Sequence, residues 1–346
     1  MRYLMPSALL FLNIPASAAT FCAETVQELQ NALTSAQSNG EDDAIRIATG
    51  TYLLDEKLVY STGENFSLTL VGGYLSVGSL QCLLWFPDPA NTVLDGQGQT
   101  SLIELHGSSG SGAIGVGHLT FRNGVGTDEH PVFIGGFAGY SGAVTIQSSV
   151  FENLAGRSDA GYTAVQISVD QGSLAARDNV FAGNTTDSGV QPVDLLINAA
   201  PIAPLAPAVN PNGGFNNNTV TGNGGGYAIG LRGSGFWSAA NNVIWGNENG
   251  DVTLGAHVAL YDNDIGTYQG TPDSETGGVS IDPRFVDAAN GNYRLRADSP
   301  LIDEGIGDPY GGVGTYDAGG RERIVFAAVD IGAYELQDPI FSDGFD

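Results

Sequence analysis

The stretch His118-Leu-Thr-Phe-Arg-Asn123 returns four times, as Ser149-Val-Phe-Glu-Asn153, Asn179-Val-Phe-Ala-Gly-Asn184, Asn218-Thr-Val-Thr-Gly-Asn223 and Asn242-Val-Ile-Trp-Gly-Asn247. Its central apolar residues, Phe121, Phe151, Phe181, Val220 and Ile244, are separated by 30, 30, 39 and 24 residues, the length of one supersecondary repeat. Each copy is too short for a helix and alternates apolar with polar side chains before an Asn or Gly stops it, which is the pattern of a strand followed by a bend. An Asn at the stop can take the left-handed region at low cost. Copies stacked about 4.8 Å apart also let Asn amides bond along the stack. An Asn-rich surface loop would not repeat an apolar residue at such distances. The phrase therefore predicts an all-β fold, a parallel β-helix in which each copy is one winding of a solenoid.

Working outward, Thr25-Val-Gln-Glu28 reads as a capping box, and Val26, Leu29, Leu33 and Ala36 fall on one helical face behind it. A short amphipathic helix there suits the task of covering the first coil, whose strand edges and apolar end would otherwise be open. Strands are expected at 44–47, 67–71, 92–94 and 102–105. Between the third and fourth phrases, Gln191 to Gly214 carries Pro192, Pro201, Pro204, Pro207 and Pro211, so it is expected as a long loop on one flank and explains the 39-residue step.

The chain has 346 residues and a formal charge of −26, which argues against nucleic acid and against an anionic membrane surface. Met1 to Ala19, with Arg2, an apolar run and Ala16-Ser17-Ala18-Ala19, reads as a signal peptide. Pro6 and Asn13 interrupt that run, and no later stretch is long and apolar enough to span a bilayer. Export would carry Cys22 and Cys82 to an oxidising compartment, where pairing is expected; free buried thiols are the alternative. Such a bridge stabilises by roughly 4 kcal/mol in the chain-entropy model.

The closing segment contains Asp282-Pro-Arg-Phe-Val-Asp287, Tyr293-Arg-Leu295, Ser299-Pro300, Ile302-Asp303 and Asp330-Ile-Gly-Ala-Tyr-Glu335. These resemble the C-terminal region of secreted bacterial right-handed parallel β-helix proteins named for a choice-of-anchor Q domain. Glu28-Leu-Gln-Asn-Ala-Leu33, Ile45-Arg-Ile47 and Gly50-Thr-Tyr52 are similar to the N-terminal cap of such proteins. The resemblance implies a pectate-lyase-like fold, secretion and surface attachment, and no settled activity. The expected organisation is a leader (1–19), an N-terminal cap with the first strands (20–89), coils (90–275), a closing segment that caps the stack (276–336) and an acidic tail (337–346).

An acid follows most phrases by six to eight residues: Asp128 with Glu129, then Asp159, Asp187 and later Asp251. In a regular stack Asp128, Asp159 and Asp187 would share one edge, roughly 5 Å apart between neighbours and roughly 10 Å between alternate coils. Those separations bracket the carboxylate pairs of glycosidases and would also suit Ca²⁺. The same acids would equally serve as solvated turn residues. A lyase needs a Lys or Arg beside a neutralised uronate. Here the candidates are Lys57, Arg122, Arg157, Arg177 and Arg232, each also suited to a surface ion pair. Paired-Asp polygalacturonase motifs, nucleophile elbows, phosphate loops and zinc-spaced histidines are absent from the sequence. Phe236, Trp237, Tyr261 and Tyr268 fall on successive coils and are expected as a platform for sugar rings, with Trp245 in the packing. The sequence-level function is an exported, monomeric β-helix that engages extracellular polysaccharide. A glycan-cleaving enzyme using turn-edge carboxylates and an adhesin are the alternatives.

Overall fold

The computed structural model describes residues 18–337 except 109, 111, 138, 158–160, 188 and 199–211. Most of the leader, the proline-rich insertion between 199 and 211, and the tail after Gln337 lie outside the described residues. Three parallel sheets wind around one apolar interior, and each winding adds a strand to a first, a second and a third face in that order. One such winding is Ala143–Gln147, Val150–Glu152 and Val165–Val169. The second and third faces have eight strands each, so the parallel β-helix expected from the repeat is the fold.

The repeated phrase builds the second face and both of its corners. Phe121, Phe151, Phe181, Val220 and Ile244 sit in direct register on successive strands. The rings of Phe121 and Phe151 stack at 4.9 Å and 6°, and those of Phe151 and Phe181 at 4.9 Å and 9°. All three are fully buried, which places the column inside the prism.

Two kinds of residue divide the work at the corners. The left-handed bend falls on Asn123 and Asn153 (φ 54° and 53°), as expected for a phrase-ending Asn. In the next three copies it falls on Gly183, Gly222 and Gly246, and the Asn after each turns its amide inward. At the corner entering the second face, Ser148, Asp178, Asn217, Asn241 and Asp262 take the bend. The next residue starts a ladder. Asn179 donates its backbone N–H and its Nδ2 to Asn218 Oδ1, both at 3.0 Å, and Asn218 does the same to Asn242, and Asn242 to Asn263. Asn184, Asn223 and Asn247 form a second ladder at the opposite corner. The polar backbone exposed by each sharp bend is thus satisfied inside the stack, where water does not reach it.

The first coil is closed as expected by the helix Val26–Ala36, which buries Leu29, Ala32, Leu33 and Ala36. Thr25 accepts from Glu28 N, but Glu28 reaches back to the N–H of Glu24 rather than to that of Thr25. From the helix, Gln30 places its amide against Val59, accepting from its N–H at 2.9 Å and donating to its carbonyl at 3.0 Å. That contact occupies the free edge of Leu58–Thr62, the first strand of the third face. Cys22, in the strand Ala19–Ala23, is disulfide-bonded to Cys82 on the antiparallel hairpin Leu68–Val77/Leu80–Trp85.

The closing segment runs back along the flank of the stack. Ile306 pairs with Asn241, Tyr310 with Asn216, Gly311 with Arg177, and Tyr316 with Ser148, each contact one coil nearer the N-terminal end. Ala318 and Ala333 cover Val180 and Ala182, while Leu295, Leu301 and Ile331 cover Val243, so the segment buries the outer surface of the second face. It carries a buried charge network around Arg323. Its Nη2 donates to Asp330 O and Gly332 O, and its Nε lies 3.3 Å from Asp178 Oδ1.

Asn218→Ala leaves the N–H and one of the two amide hydrogens of Asn179 without an acceptor and removes the side-chain donor to Ala176 O, at a cost of about 3 kcal/mol in urea unfolding. Asn153→Gly, at a left-handed position, is expected to change stability by less than about 1 kcal/mol. Equal costs would contradict the division of labour. Burial, with repulsion from Asp251 and Asp282, raises Asp264 to about 7, and burial raises Asp178 and Glu335 to about 7 against the pull of Arg323. Acids raised in the folded state stabilise it fully below their unfolded pKa of about 4, and that contribution is lost as pH rises to about 7. Stability is therefore expected to increase as pH falls from about 8 to about 5, and Asp264→Asn to flatten that slope and to stabilise at the higher pH by on the order of 1–3 kcal/mol.

Candidate functional site

Alternation on the third face sends Ile103, Leu105, Val132, Ile134, Val165 and Ile167 into the core and their neighbours outward. One outward column reads Val59, Glu104, Phe133, Gln166, Asp194 and Gly230 from coil to coil. The adjacent column reads Ser61, His106, Gly135, Ser168, Leu196 and Arg232. The turns that enter this face contribute Glu129, His130 and Tyr162.

These residues form a strip along the axis. At its N-terminal end Lys57 Nζ reaches Glu104 Oε2 at 2.6 Å and also pairs with Glu129. Next comes an aromatic cluster. His106 meets the edge of Phe133 at 5.6 Å, His130 lies 6.1 Å from Phe133 and 5.1 Å from Tyr162, and Phe137 lies 5.4 Å from Phe133. Phe133 is covered by its neighbours, which leaves Phe137, 39% exposed, as the open ring. Thr163 N, O and Oγ1 each lie 3.1 Å from His130 Nδ1, and burial pushes this imidazole below its ordinary pKa. Beyond it, Gln166 Nε2 donates to Ser168 Oγ at 2.7 Å. Arg232 then grips buried Asp194 through both Nε (2.6 Å) and Nη2 (2.7 Å), a bidentate pair.

The turn-edge acids border this strip. Asp128 and Asp187 lie in the loops that run from the second face to the third, both exposed, and Asp159 lies outside the described residues. Bridges align Val125 with Ala155 and Ala155 with Thr185, so Asp128 stands three residues past its marker and Asp187 two past its own. The two are two coils apart and out of register, unlike the regular stripe that sequence spacing suggested. Unequal loops between equal strands are the reason.

The expected sugar platform is split. Trp237 is fully buried, its Nε1 donating to Arg232 O at 3.1 Å, because strand alternation turns it inward while Phe236 faces out. Phe236 and Tyr261 are half-buried on the first face, whereas exposed Tyr268 lies on the last strand of the third face and bonds Glu275. Trp245 packs beside the cluster of Leu295, Leu301 and Ile331, in line with its position inside the phrase. Phe133, Phe137, His106 and His130 were missed because no motif links them; the outward position on the third face, read strand by strand, was the usable signal. Among the described residues no group of three or more His, Cys, Asp or Glu side chains converges as a metal site, and no helix is long and apolar enough to cross a membrane. No protein-family model matches the chain, and no curated protein matches it in sequence.

Arg232→Ala leaves the buried side chain of Asp194 without its counter-ion, with an expected loss of about 3–5 kcal/mol. Arg232→Lys is expected to recover only part of it, since an ammonium cannot reproduce the fork; full recovery in denaturant melts would argue against the bidentate contact.

Proposed function

We propose that the protein is exported and binds extracellular polysaccharide lengthwise on its third face, without cleaving it. The observation that carries this reading is the strip itself. An open aromatic ring, Phe137, lies among partly exposed imidazoles and charged pairs along one axis, which suits a chain of rings with hydroxyl edges. Binding is favoured over hydrolysis because Glu104 and Glu129 are held by Lys57 and Asp194 by Arg232, so these carboxylates already have partners. The leader-like Met1–Ala19 supports export, and the resemblance of the closing segment to choice-of-anchor Q proteins supports attachment at a cell surface.

A panel of immobilised glycans, probed with wild-type protein and with Phe137→Ala and His106→Ala together, tests the reading. At least one polysaccharide is expected to be retained by the wild type, with affinity about tenfold lower in the double variant. Retention of no glycan, or equal retention of both proteins, overturns it. Release of soluble oligosaccharides, assayed with and without EDTA, would replace binding with catalysis.

A further inference from the structure

A second concavity lies on the opposite flank of the coils, between the outer surface of the second face and the closing segment. Its floor is the outward column Val93, Thr120, Val150 and Val180, and beside it runs the column Asp95, Arg122, Glu152 and Ala182. Tyr293, Arg294 and Tyr334 form the far wall, and Pro89 and Ala90 the rim. The groove holds about 390 Å³, room for a single sugar-sized molecule.

Its charges are unevenly satisfied. Asp95 accepts from Arg122 Nε at 2.8 Å, from Asn123 Nδ2 at 3.1 Å and from Gln97 N at 2.9 Å. Arg294 pairs with Asp317 at 3.4 Å and lies over the Tyr334 ring, while Asp88 accepts from Ala90 N. Glu152, one strand beyond Arg122, is half-buried, and its carboxylate has no hydrogen bond or ion pair among the described residues. The groove thus holds a carboxylate that accepts no hydrogen bond, beside the two Nη groups of Arg122 and the Tyr293 hydroxyl, which are likewise unengaged among the described residues.

We propose that this groove binds an amino sugar, with Glu152 as counter-ion to its ammonium group, Arg122 and Tyr293 meeting its hydroxyls, and the valine floor taking one face of the ring. An ammonium supplies three donors to a carboxylate that has none. The hydroxyl partners around Glu152 favour a ring over the slender, apolar stem of a lysine side chain. The formal charge of −26 raises the local concentration of small cations. Burial raises the Glu152 carboxyl above its ordinary value, opposed by Arg122 and reinforced by Asp95, while Tyr293, Tyr334, Arg294 and Asp88 face the same groove. Ammonium binding needs the ionised acid, so affinity is expected to fall as pH is lowered into the range where this carboxyl takes up its proton.

Calorimetric titration of the full chain with glucosamine, glucose, N-acetylglucosamine and Nα-acetyl-lysine amide tests the proposal. Glucosamine is expected to bind at least about tenfold tighter than the other three, and Glu152→Gln to lower its affinity by at least about tenfold without changing the melting temperature. Ala90→Tyr, which fills the exposed rim and leaves the core untouched, is expected to abolish binding and carries the test if Glu152→Gln does not fold. The proposal is overturned if glucosamine does not bind the wild type, if N-acetylglucosamine or glucose binds as tightly, if the lysine derivative is preferred, or if affinity survives in the variant.

Discussion

Parallel pairing of one winding on the next imposes a single rule on this chain: whatever occupies a position must tolerate a near copy of itself about 4.8 Å above and below. Few buried groups meet that rule. Flat rings do so by stacking, as Phe121, Phe151 and Phe181 show, and primary amides do so because each carries both a donor and an acceptor. The Asn ladders matter most, since the chain must turn sharply between the first and second faces while burying the turn. An amide that accepts a backbone N–H on one side and donates on the other meets that need without water. A carboxylate could not, because like charges one coil apart would repel.

The same regularity creates two liabilities, an open end and a bare flank. At the end, the helix Val26–Ala36 shields the core while Gln30 occupies the strand edge through a side-chain imitation of a ladder contact. On the flank, outward valines and alanines of the second face would be exposed if the closing segment did not lie over them. That segment is held by carbonyls that meet corner side chains, Asn216 and Asn217 on one coil and Asn241 on the next. The repeat therefore supplies the docking track for the non-repeating part.

Function is left to the places where the rule relaxes. Third-face outward positions change identity from coil to coil, Glu104, Phe133, Gln166 and Asp194 in turn, so each meets unlike neighbours instead of stacking on a copy of itself. The loops entering that face vary in length, and they bring Tyr162 against His130 from the next coil while His130 lies beside Phe133. On the second face a groove lies between the strands and Tyr293 and Tyr334 of the closing segment, and Glu152 in it has no hydrogen-bond partner among the described residues.

The sequence by itself determined the winding. A phrase returning with an apolar centre was enough to place Phe121, Phe151 and Phe181 on one axis, and Thr25 with Glu28 was enough to start the capping helix, because both depend on spacing within a few residues. It also suggested ladders of Asn, although which Asn bends and which bonds depended on whether a Gly followed the strand. Tertiary structure alone decided what each outward residue meets. Trp237 turned inward by a single step of strand alternation, Asp128 and Asp187 fell out of register through unequal loops, and the closing segment settled along the flank. Repetition in a chain specifies what stacks on itself; contacts between unlike segments, on which both candidate sites rest, are fixed by long-range packing that no local pattern encodes.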